Sequence, residues 1–386
     1  MIDLIAQLVF WASSGVLAYV YAGYPILVYL IARTRPEHVR VSATTPTVTV
    51  LITAYNEEAA IREKIENTFQ LEHPPDKLEI LVASDGSTDR TDEIVESFSN
   101  RRVRLVRVEG RKGKTFVQNA AVEAASGEII LFSDATTNYD PSVLNKILPL
   151  FADASVGCVA GRLIYRNDDE TVVGDGATSY WGYETFIKAC ESKACSLIGA
   201  SGCLYAVRRS AYVPMYPEAC SDFLICTVLY RDGLRTVFAP EAVCYEHVNR
   251  DSAAELRMRI RVIAQTFTDL WRNRDMMNPL KSGFYAIQLI SHKLLRYAVP
   301  ILLAAMFITN AVLMSSSSFY STLFAFQVIF YILAVVGWIS EIFGLRSRIL
   351  SIPQYFVLAN VASVIAFYKF LRGERYESWE PIRPER

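Results

Sequence analysis

The chain lacks an excess of charge of either sign and has few histidines. Its 386 residues carry 39 Lys and Arg against 40 Asp and Glu, a formal net charge of −1, and only four His. Nucleic-acid binding needs a basic face that neutralises phosphates, so this composition argues against a nucleic-acid partner. The seven cysteines show no zinc-knuckle spacing and the histidines are scattered, so no structural zinc site is predicted.

Charged residues are absent altogether from three long stretches. Residues 4–32, 297–340 and 349–368 contain no Asp, Glu, Lys or Arg. A helix of about 20 apolar residues spans the ~30 Å hydrocarbon core of a bilayer. The first stretch therefore predicts one membrane crossing, the second predicts two crossings joined by a turn at residues 315–318, and the third predicts one more. The first stretch also lacks the basic amino-terminal region of a signal peptide.

The charges that flank the apolar stretches predict an orientation. Arg33, Arg35 and Arg40 follow the first stretch, whereas only Asp3 precedes it. Because positive charge is retained on the cytoplasmic side, residues 41–290 are predicted to lie in the cytoplasm, at the inner or plasma membrane of the cell. The cysteines, all within this region, are expected to stay reduced there.

The carboxyl-terminal tail, residues 372–386, is basic and aromatic, and its side of the membrane stays open. One crossing plus three would place it outside, whereas Lys369, Arg372 and Arg375 favour the inside, which a re-entrant last segment would allow. Trp379 has two interpretations, as a gate at the active site or as an anchor at the membrane surface.

The region between the apolar stretches alternates between strand and helix patterns. Short apolar runs predict buried parallel strands, and longer segments with helical spacing predict helices between them. The alternation is typical of a doubly wound α/β sheet. The predicted strands are 48–52, 78–83, 103–108, 128–133 and 156–160, and the predicted helices are 57–69, 89–98, 115–125 and 180–192.

A basic amphipathic helix is predicted at residues 251–274, just before the second apolar stretch. Its apolar residues recur at helical spacing and its arginines lie between them. The pattern favours a helix in the membrane interface with its arginines against anionic headgroups, and the alternative is an ordinary solvated face. The arginines are Arg257, Arg259, Arg261, Arg272 and Arg274.

Polar residues that follow the first two strands are candidates for binding a nucleotide. Ligands of open α/β sheets collect at the carboxyl ends of the strands. Tyr55 and Glu57 follow the first strand in a loop that could receive a base or ribose, although Asn56 could instead be only a helix cap. Asp85 follows the second strand and can accept a hydrogen bond from the imide N–H of a pyrimidine; the alternative is a simple Asp-Gly turn, and Asp89 is expected to cap the next helix.

Further along the chain, three segments are candidates for diphosphate binding, metal binding and general base catalysis. Residues 111–114 place three cations at the start of a helix, which suits a diphosphate, although a charge run is often a solvated loop. Asp134 ends an apolar strand and could bind Mg²⁺ or Mn²⁺ through oxygen. Asp222 is a candidate general base for a sugar hydroxyl, with a helix cap as the alternative.

These residues resemble glycosyltransferase family two, the inverting enzymes of GT-A fold, with a Rossmann-like and mostly parallel sheet, that use nucleotide-diphosphate sugars. The resemblance covers residues 46 to about 265, flanked by membrane segments as in the synthases of hyaluronan, chitin oligosaccharide and cellulose. It rests on motifs in family order, which lie at residues 53–57, 83–89, 113–114, 119–121, 132–135, 199–202 and 222.

The resemblance implies a role for each candidate. Tyr55, Glu57 and Asp85 would hold the uridine, and Lys114 would hold the diphosphate. Asp134 would bind the metal, Mg²⁺ or Mn²⁺. Asp222 would be the base that activates the acceptor hydroxyl, so that attack opposite the leaving nucleotide inverts the configuration.

Three departures from the family pattern stand out. Ser84 replaces the first acid of an Asp-Asp-Gly motif, and Thr136 replaces the second acid of the Asp-X-Asp metal motif. The Gln-X-X-Arg-Trp signature of processive synthases is reduced to Arg261, which is still assigned to the donor site. Polymerisation is therefore in doubt.

The sequence thus predicts a multi-pass membrane protein in five parts. These are an amino-terminal transmembrane helix at 1–33, a GT-A domain at 46–250, interface helices at 251–296, a transmembrane region of two to three helices at 297–371 and the tail at 372–386.

The predicted function is sugar transfer from a nucleotide-diphosphate sugar, expected to be a UDP-sugar, to a glycan or lipid-linked acceptor in capsule or exopolysaccharide synthesis. Membrane lipids are expected partners, and a homo-oligomer or an export partner is plausible because few helices are available to form a conduit. Two alternatives stay open. One is transfer to a polyprenyl phosphate held by Arg257, Arg259 and Arg261, and the other is a non-catalytic subunit of an export complex.

Overall fold

A computed structural model describes residues 1–35, 39–166, 172–248, 251–345 and 347–376. In that part of the chain, eight strands form one sheet in the order β3-β2-β1-β4-β7-β6-β8-β5. The strands are Val48–Ala54 (β1), Leu78–Ser84 (β2), Val103–Arg107 (β3), Ile129–Asp134 (β4), Asn138–Tyr139 (β5), Val156–Arg166 (β6), Tyr205–Arg208 (β7) and Arg235–His247 (β8).

The first half of the sheet is parallel and confirms the predicted alternation. β1 pairs in parallel with β2 and β4, and β2 pairs in parallel with β3. All seven residues of β1 are buried, as both faces of a parallel strand are when helices cover them. β7 then pairs antiparallel with β4 and β6, while β6 and β8 are parallel. The sheet is therefore the mostly parallel sheet of a GT-A-like fold.

Helices cover both faces of this sheet, and further helices come after its last strand in the chain. Two separate apolar clusters form, one on each side of β1, because alternate side chains of the strand point to opposite faces. The helices of the sheet domain are Ile61–Phe69 (α3), Thr91–Glu96 (α4), Lys114–Ala124 (α5), Val143–Ile147 (α6), Val172–Ala194 (α7), Ser221–Arg231 (α8) and Ser252–Arg272 (α9). The apolar helices are Ile2–Ala18 (α1), Tyr24–Thr34 (α2), Leu295–Leu313 (α12), Ser318–Ile342 (α13) and Arg348–Leu371 (α14), with two short helices, Pro279–Ser282 (α10) and Phe284–Leu289 (α11), before α12.

Gly127 allows the start of β4 to lie against β1. A Cβ at this position would be 2.4 Å from the backbone nitrogen of Thr49, and Gly127 N–H donates to Thr49 Oγ1 at 2.9 Å. Because a backbone atom in the central strand cannot move aside, Gly127→Ala is expected to destabilise the protein by about 1–3 kcal/mol. Thermal unfolding of the detergent-solubilised protein would measure this loss. Gly182→Ala is the matched control, since nothing lies within 4 Å of its Cβ, and equal stability of the two variants would contradict the prediction.

Four helical stretches are long and apolar enough to cross a membrane. They are Ile2–Thr34, Phe284–Leu313, Ser318–Ile342 and Arg348–Leu371. The first two each contain one π-helical turn, Tyr19–Gly23 and Ile290–Leu294. The two turns face each other, because Tyr19 Oη and Ser291 Oγ are 2.8 Å apart. The number of apolar stretches agrees with the sequence prediction, but the second begins at Phe284, within the segment predicted as interface helices.

A buried polar cluster joins the apolar helices to the sheet domain. His292 lies between two carboxylates of α7, with Nδ1 2.8 Å from Glu191 and Nε2 3.0 Å from Glu184. Arg296 pairs with Glu184 at 2.7 Å, and the hydroxyl of Tyr24 donates to Glu191. Because these groups are desolvated, loss of one partner would leave an unpaired buried charge. The cluster therefore fixes α12 to α7.

The last helix, α14, lies alongside α9. Near its start, Gln354 donates to Ser252 at the beginning of α9. Just after its end, the backbone carbonyl of Tyr376 accepts a hydrogen bond from Gln265 at 2.9 Å. Residues at both ends of α14 thus contact α9. Trp379 lies outside the described residues.

The arginines of α9 do not form the predicted row toward lipid headgroups. Only Arg257 among the first three is exposed. Arg259 pairs with Glu255 at 2.8 Å and donates to the hydroxyl of Tyr355 on α14. Arg261 points toward the cleft described below. The headgroup interpretation is wrong for Arg259 and Arg261, because α14 covers this part of the helix.

Candidate active site

The carboxyl ends of β1, β2 and β4 lie side by side and carry the predicted site residues. Ala54 is in register with Ser84, and Thr53 is in register with Asp134. The residues that follow these positions therefore emerge at one edge of the sheet. Tyr55 and Asp85 lie at one end of this edge and Asp134 lies at the other.

Asp85 shapes the loop that leads to α5. Its buried carboxylate accepts hydrogen bonds from the backbone N–H groups of Lys112 at 2.7 Å and Gly113 at 3.0 Å. These bonds hold the loop against the end of β2. Tyr55 lies beneath the same loop, with the guanidinium carbon of Arg111 4.2 Å from its ring centre. The positions of Tyr55 and Asp85 suit a base or ribose, and their contact with a nucleotide stays a prediction.

Glu57 is buried at the turn after β1. Its backbone N–H donates to Thr91 Oγ1 at 2.7 Å, and the neighbouring Glu58 N–H donates to Asp89 at 3.0 Å. Asp89 also accepts from the backbone N–H of Thr91, the first residue of α4, but the N-cap position is Arg90, so the predicted capping by Asp89 is wrong in its position. Glu57 thus belongs to the turn that connects β1 with the start of α4, and its role toward the nucleotide stays a prediction.

Lys114 and Asp134 form an ion pair in the centre of the site. The Lys114 ammonium donates to Asp134 Oδ1. Burial acts to lower the pKa of Lys114, but the carboxylates of Asp134 and Asp222 outweigh burial and raise it. Lys114 is also the first residue of α5, so a cation and helix-terminal N–H groups occur together, as anion binding requires.

Asp222 approaches Lys114 across the loop that precedes β7. A Cβ at Gly202 would lie 3.3 Å from Lys114 Nζ and 3.4 Å from Asp222 Oδ2, so the absent side chain leaves room for both. Asp222 is half-buried at the start of α8, and the thiol of Cys220 lies 3.2 Å from its Oδ1. Asp222 therefore lies close to Lys114 of the central ion pair, and its role toward a reacting hydroxyl stays a prediction.

Arg261 completes the cleft from α9. Burial lowers the pKa of its guanidinium, and Cys220, Asp134 and Asp222 act in the opposite direction. The structure thus brings Lys114, Asp134, Asp222 and Arg261 together although they come from four different elements. Their assigned roles in catalysis and donor binding stay predictions.

Glu246 is a carboxylate of this site that the sequence analysis missed. It lies near the end of β8 and its Oε1 accepts a hydrogen bond from Thr136 at 3.4 Å. Burial and then the charge of Asp134 raise the pKa of Glu246 to about 7. The reasoning applied to Asp134, an acid at the carboxyl end of an apolar strand, would also have selected Glu246.

Asp269 is a second residue that the sequence analysis missed. Its buried carboxylate accepts from the backbone N–H of Cys220 at 3.1 Å and from the hydroxyl of Tyr216. Burial raises its pKa well above the usual range, and these two hydrogen bonds oppose the shift. Asp269 therefore fixes the start of α8, which carries Asp222, and acts as a positioning residue.

Asp269→Ala is expected to lower kcat about 10- to 100-fold, because even a 1 Å displacement of a catalytic group is costly. The KM for the donor and the affinity for Mn²⁺ should change less than about 2-fold, since α9 does not hold Asp134 or Lys114 in place. Asp269→Asn, which keeps an acceptor oxygen, should restore part of kcat. Asp275→Ala changes a partly exposed residue that pairs with Lys281, and it should have no effect on kcat. Wild-type kcat in Asp269→Ala would contradict the positioning role.

The site fits a divalent cation of the Mg²⁺ or Mn²⁺ type. Among the residues that the structure describes, no three His, Cys, Asp or Glu side chains converge on one point. Asp134 and Glu246 thus supply two carboxylates at most. Mg²⁺ is commonly bound by one or two carboxylates together with substrate phosphates and water, so this donor set is sufficient when a diphosphate is present.

Residues 49–213 match the family model described as Glycosyl transferase family 2. The chain is 29% identical over 216 residues to the probable glycosyltransferase YdaM of Bacillus subtilis, covering 52% of this chain and 50% of that protein. It is 30% identical over 169 residues to the beta-monoglucosyldiacylglycerol synthase of Nostoc, covering 42% and 36%. It is 25% identical over 220 residues to the poly-beta-1,6-N-acetyl-D-glucosamine synthase of Staphylococcus aureus, covering 55% and 53%. The chain spans about half the length of these relatives or less.

The fold resembles that of a solved structure over almost the whole chain. The mannosyltransferase PcManGT from Pyrobaculum calidifontis, in complex with GDP-Man and Mn²⁺, superposes with a TM-score of 0.73 at 23% identity. The match covers 97% of this chain and 100% of that one, so it includes the apolar helices as well as the sheet. It confirms the predicted fold class.

Proposed function

We propose that this chain is an inverting glycosyltransferase of family 2, because residues 49–213 match the model of that family. It transfers a sugar from a nucleotide-diphosphate sugar to a hydroxyl of a glycan or lipid-linked acceptor at a membrane. The observation that carries this proposal is the convergence of Lys114, Asp134 and Asp222 around Gly202. A diphosphate-binding cation, a metal-binding carboxylate and a candidate base lie within one cleft.

The donor nucleotide binds along the edge formed by β1 and β2. Tyr55 presents a ring to the base, and Asp85 holds the loop of residues 111–113 in place. A carboxylate at this edge suits uracil and guanine alike, because each base carries a ring N–H donor. The proposal therefore includes UDP-sugars and GDP-sugars. GDP-Man is the donor that occupies the structurally similar mannosyltransferase.

Lys114 and Arg261 neutralise the diphosphate, and Asp134 with Glu246 would hold Mg²⁺ or Mn²⁺. Lys114 is paired with Asp134, so a diphosphate at Lys114 and a cation at Asp134 would each bind one partner of this ion pair. The bound cation supplies charge stabilisation for the departing nucleoside diphosphate. Glu246 offers a carboxylate where the sequence lacks the second acid at Thr136.

Asp222 accepts the proton of the acceptor hydroxyl. The hydroxyl oxygen forms a bond to the anomeric carbon while the bond from that carbon to the diphosphate oxygen breaks, and its electrons leave with the nucleoside diphosphate. Because attack comes from the side opposite the leaving group, the configuration inverts in one step. Lys114 and Arg261 stabilise the charge that develops on the leaving group.

The apolar helices favour an acceptor that is located at a membrane, such as a lipid-linked or growing glycan. The proposed location of the sheet domain is the cytoplasm, because Arg33, Arg35 and Arg40 follow the first apolar helix and positive charge is retained on the cytoplasmic side. Relatives that share the sheet domain include one named for a glycosylated diacylglycerol product and one named for a polysaccharide. Synthesis of an exported glycan is the proposed setting, with a second copy or an export protein as a possible partner.

Nucleotide release by the detergent-purified protein tests this proposal. The assay combines a panel of UDP-sugars and GDP-sugars with Mg²⁺ or Mn²⁺ and a membrane lipid extract. We expect metal-dependent release with one donor, and loss of release in the Asp222→Asn and Asp134→Asn variants. Release that is equal in both variants and wild type would overturn the proposed site. If no donor gives nucleotide release and the protein does not bind nucleotide, the non-catalytic alternative would be favoured.

A further inference from the structure

Two lysine ammonium groups lie between Asp222 and the apolar helices without a carboxylate partner. Lys188 on α7 is buried and donates to Ser201 Oγ at 3.0 Å and Ala200 O at 3.3 Å. Lys293 lies in the π-helical turn before α12, with Nζ 5.5 Å from the ring centre of Phe223. Neither lysine forms a salt bridge within the part of the chain that the structure describes.

The nearby carboxylates are already engaged. Glu184 pairs with Arg296 and His292, and Glu191 accepts from Tyr24 and lies against the other nitrogen of His292. Burial lowers the pKa of Lys188, the ammonium of Lys293 lowers it further, and Glu184 and Asp222 act against both. Glu184 acts on both lysines but is paired elsewhere, so neither ammonium group has a carboxylate within salt-bridge distance among the described residues. Because a desolvated ammonium group gains from direct pairing, an anionic ligand would be bound favourably here.

This pair of lysines is separate from the donor site. Lys114 is bound to Asp134 and responds to Asp222 and Arg261, whereas Lys188 responds to Lys293 and Glu184. The carboxylate of Asp222 acts on both Lys114 and Lys188, and Lys293 lies against the ring of Phe223, the residue after Asp222. A ligand at Lys188 and Lys293 would therefore lie next to Asp222, as the acceptor of the transfer must.

We infer that Lys188 and Lys293 bind a phosphoryl group of the acceptor, and that the acceptor is a membrane lipid carrying both this phosphoryl group and the hydroxyl that is glycosylated. This inference rests on the proposed transferase function for the identity of the ligand as an acceptor. Lysine ammonium groups are compact charges suited to phosphate. Lys293 is continuous with α12, so an acyl chain bound along the apolar helices would bring its headgroup phosphate to this position.

The chemistry of Asp222 limits the kind of acceptor. A lipid phosphomonoester is already largely ionised at neutral pH, with a second pKa of about 6, and needs no base. An acceptor that uses Asp222 must instead present a hydroxyl, with its phosphoryl group held a short distance away by the lysines. The site therefore selects a hydroxyl-bearing anionic lipid over both a neutral lipid and a lipid phosphate that attacks through its own oxygen.

Lipid binding tests the inference without any donor. Full-length protein in detergent is titrated with radiolabelled phosphatidylglycerol, which has a phosphate and free hydroxyls, and with diacylglycerol, which has a hydroxyl alone. Lys293→Met is expected to weaken phosphatidylglycerol binding about 10- to 100-fold and to leave diacylglycerol binding unchanged, as expected for a charged hydrogen bond. Lys281→Met removes an exposed lysine that pairs with Asp275 and is the matched control. Lys188→Gln gives a second variant at the same site.

The outcomes separate this inference from the proposed function. Equal binding of the two lipids by wild type, or unchanged phosphatidylglycerol binding in both lysine variants, would overturn the inference. Displacement of phosphatidylglycerol by inorganic phosphate at equal concentration would assign the site to a soluble phosphate and overturn the lipid acceptor. Charge-selective binding without nucleotide release from any donor would leave the lipid site standing and reject the transferase. Turnover of a polyprenyl phosphate that survives Asp222→Asn would show attack by phosphate oxygen and overturn the hydroxyl assignment.

Discussion

Asp222→Asn is expected to lower kcat about 10²- to 10⁴-fold, the range that loss of general base catalysis typically produces. Asparagine has the same shape as aspartate and keeps an acceptor oxygen for the Cys220 thiol, but it cannot take the proton of the hydroxyl. Donor binding should stay close to that of wild type, because Lys114 and Asp134 hold the diphosphate end. Single-turnover measurement of sugar transfer, alongside direct donor binding, separates the two effects.

Asp232→Asn provides the control for this prediction. Asp232 follows the last residue of α8 and is exposed, so the change alters the same helix at its other end without reaching the cleft. Its kcat should equal that of wild type. A fall in donor affinity that accounts for the whole loss of Asp222→Asn would show that Asp222 binds the donor and is not the base.

Asp134→Asn is expected to weaken Mn²⁺ binding by about 100-fold or more, since the loss of groups that merely support metal ligands already costs 10- to 100-fold. Glu246→Gln should weaken it by about 10-fold, because a diphosphate and water can supply ligands in its place. Titration of Mn²⁺ by electron paramagnetic resonance, with a nucleoside diphosphate present, measures the affinity without turnover.

Glu241→Gln is the matched control for the second carboxylate. It lies on the same strand, β8, but is exposed and has no part in the cleft. Its Mn²⁺ affinity should be that of wild type. If Glu246→Gln behaves like Glu241→Gln while Asp134→Asn loses the metal, Asp134 alone holds the cation with the donor.

The sheet of the fold could be predicted because its central strands are buried on both faces. The predicted strands 48–52 and 78–83 end within two residues of the ends of β1 and β2. An unbroken apolar run of this length, bounded by polar residues, is typical of a strand that is buried on both faces. The helix after β1 begins at Ile61, four residues later than predicted. The intervening turn is held by Thr91 and Asp89 from another loop, a contact that local sequence cannot reveal.

Site residues at strand ends could be predicted as candidates, whereas the contacts between distant segments that bring them together could not. Asp134 and Asp85 follow directly from the position of an acid after an apolar run, and the same reasoning extends to Glu246. The contact of Glu246 with Thr136, 110 residues away, depends on the parallel pairing of β8 with β6, which local periodicity does not indicate. The arginines of α9 were assigned to lipid because the sequence did not show that α14 covers that face.

The course of α14 sets the count of membrane crossings. Gln354, near the beginning of α14, contacts Ser252 of α9, and Tyr376, after its end, contacts Gln265 of the same helix. We therefore expect α14 to start and finish on the side of the sheet domain, and the first apolar helix with α12 and α13 to make three crossings. An epitope added after Arg386 is then expected on the proposed cytoplasmic side, where antibody reaches it only once the membrane is permeabilised.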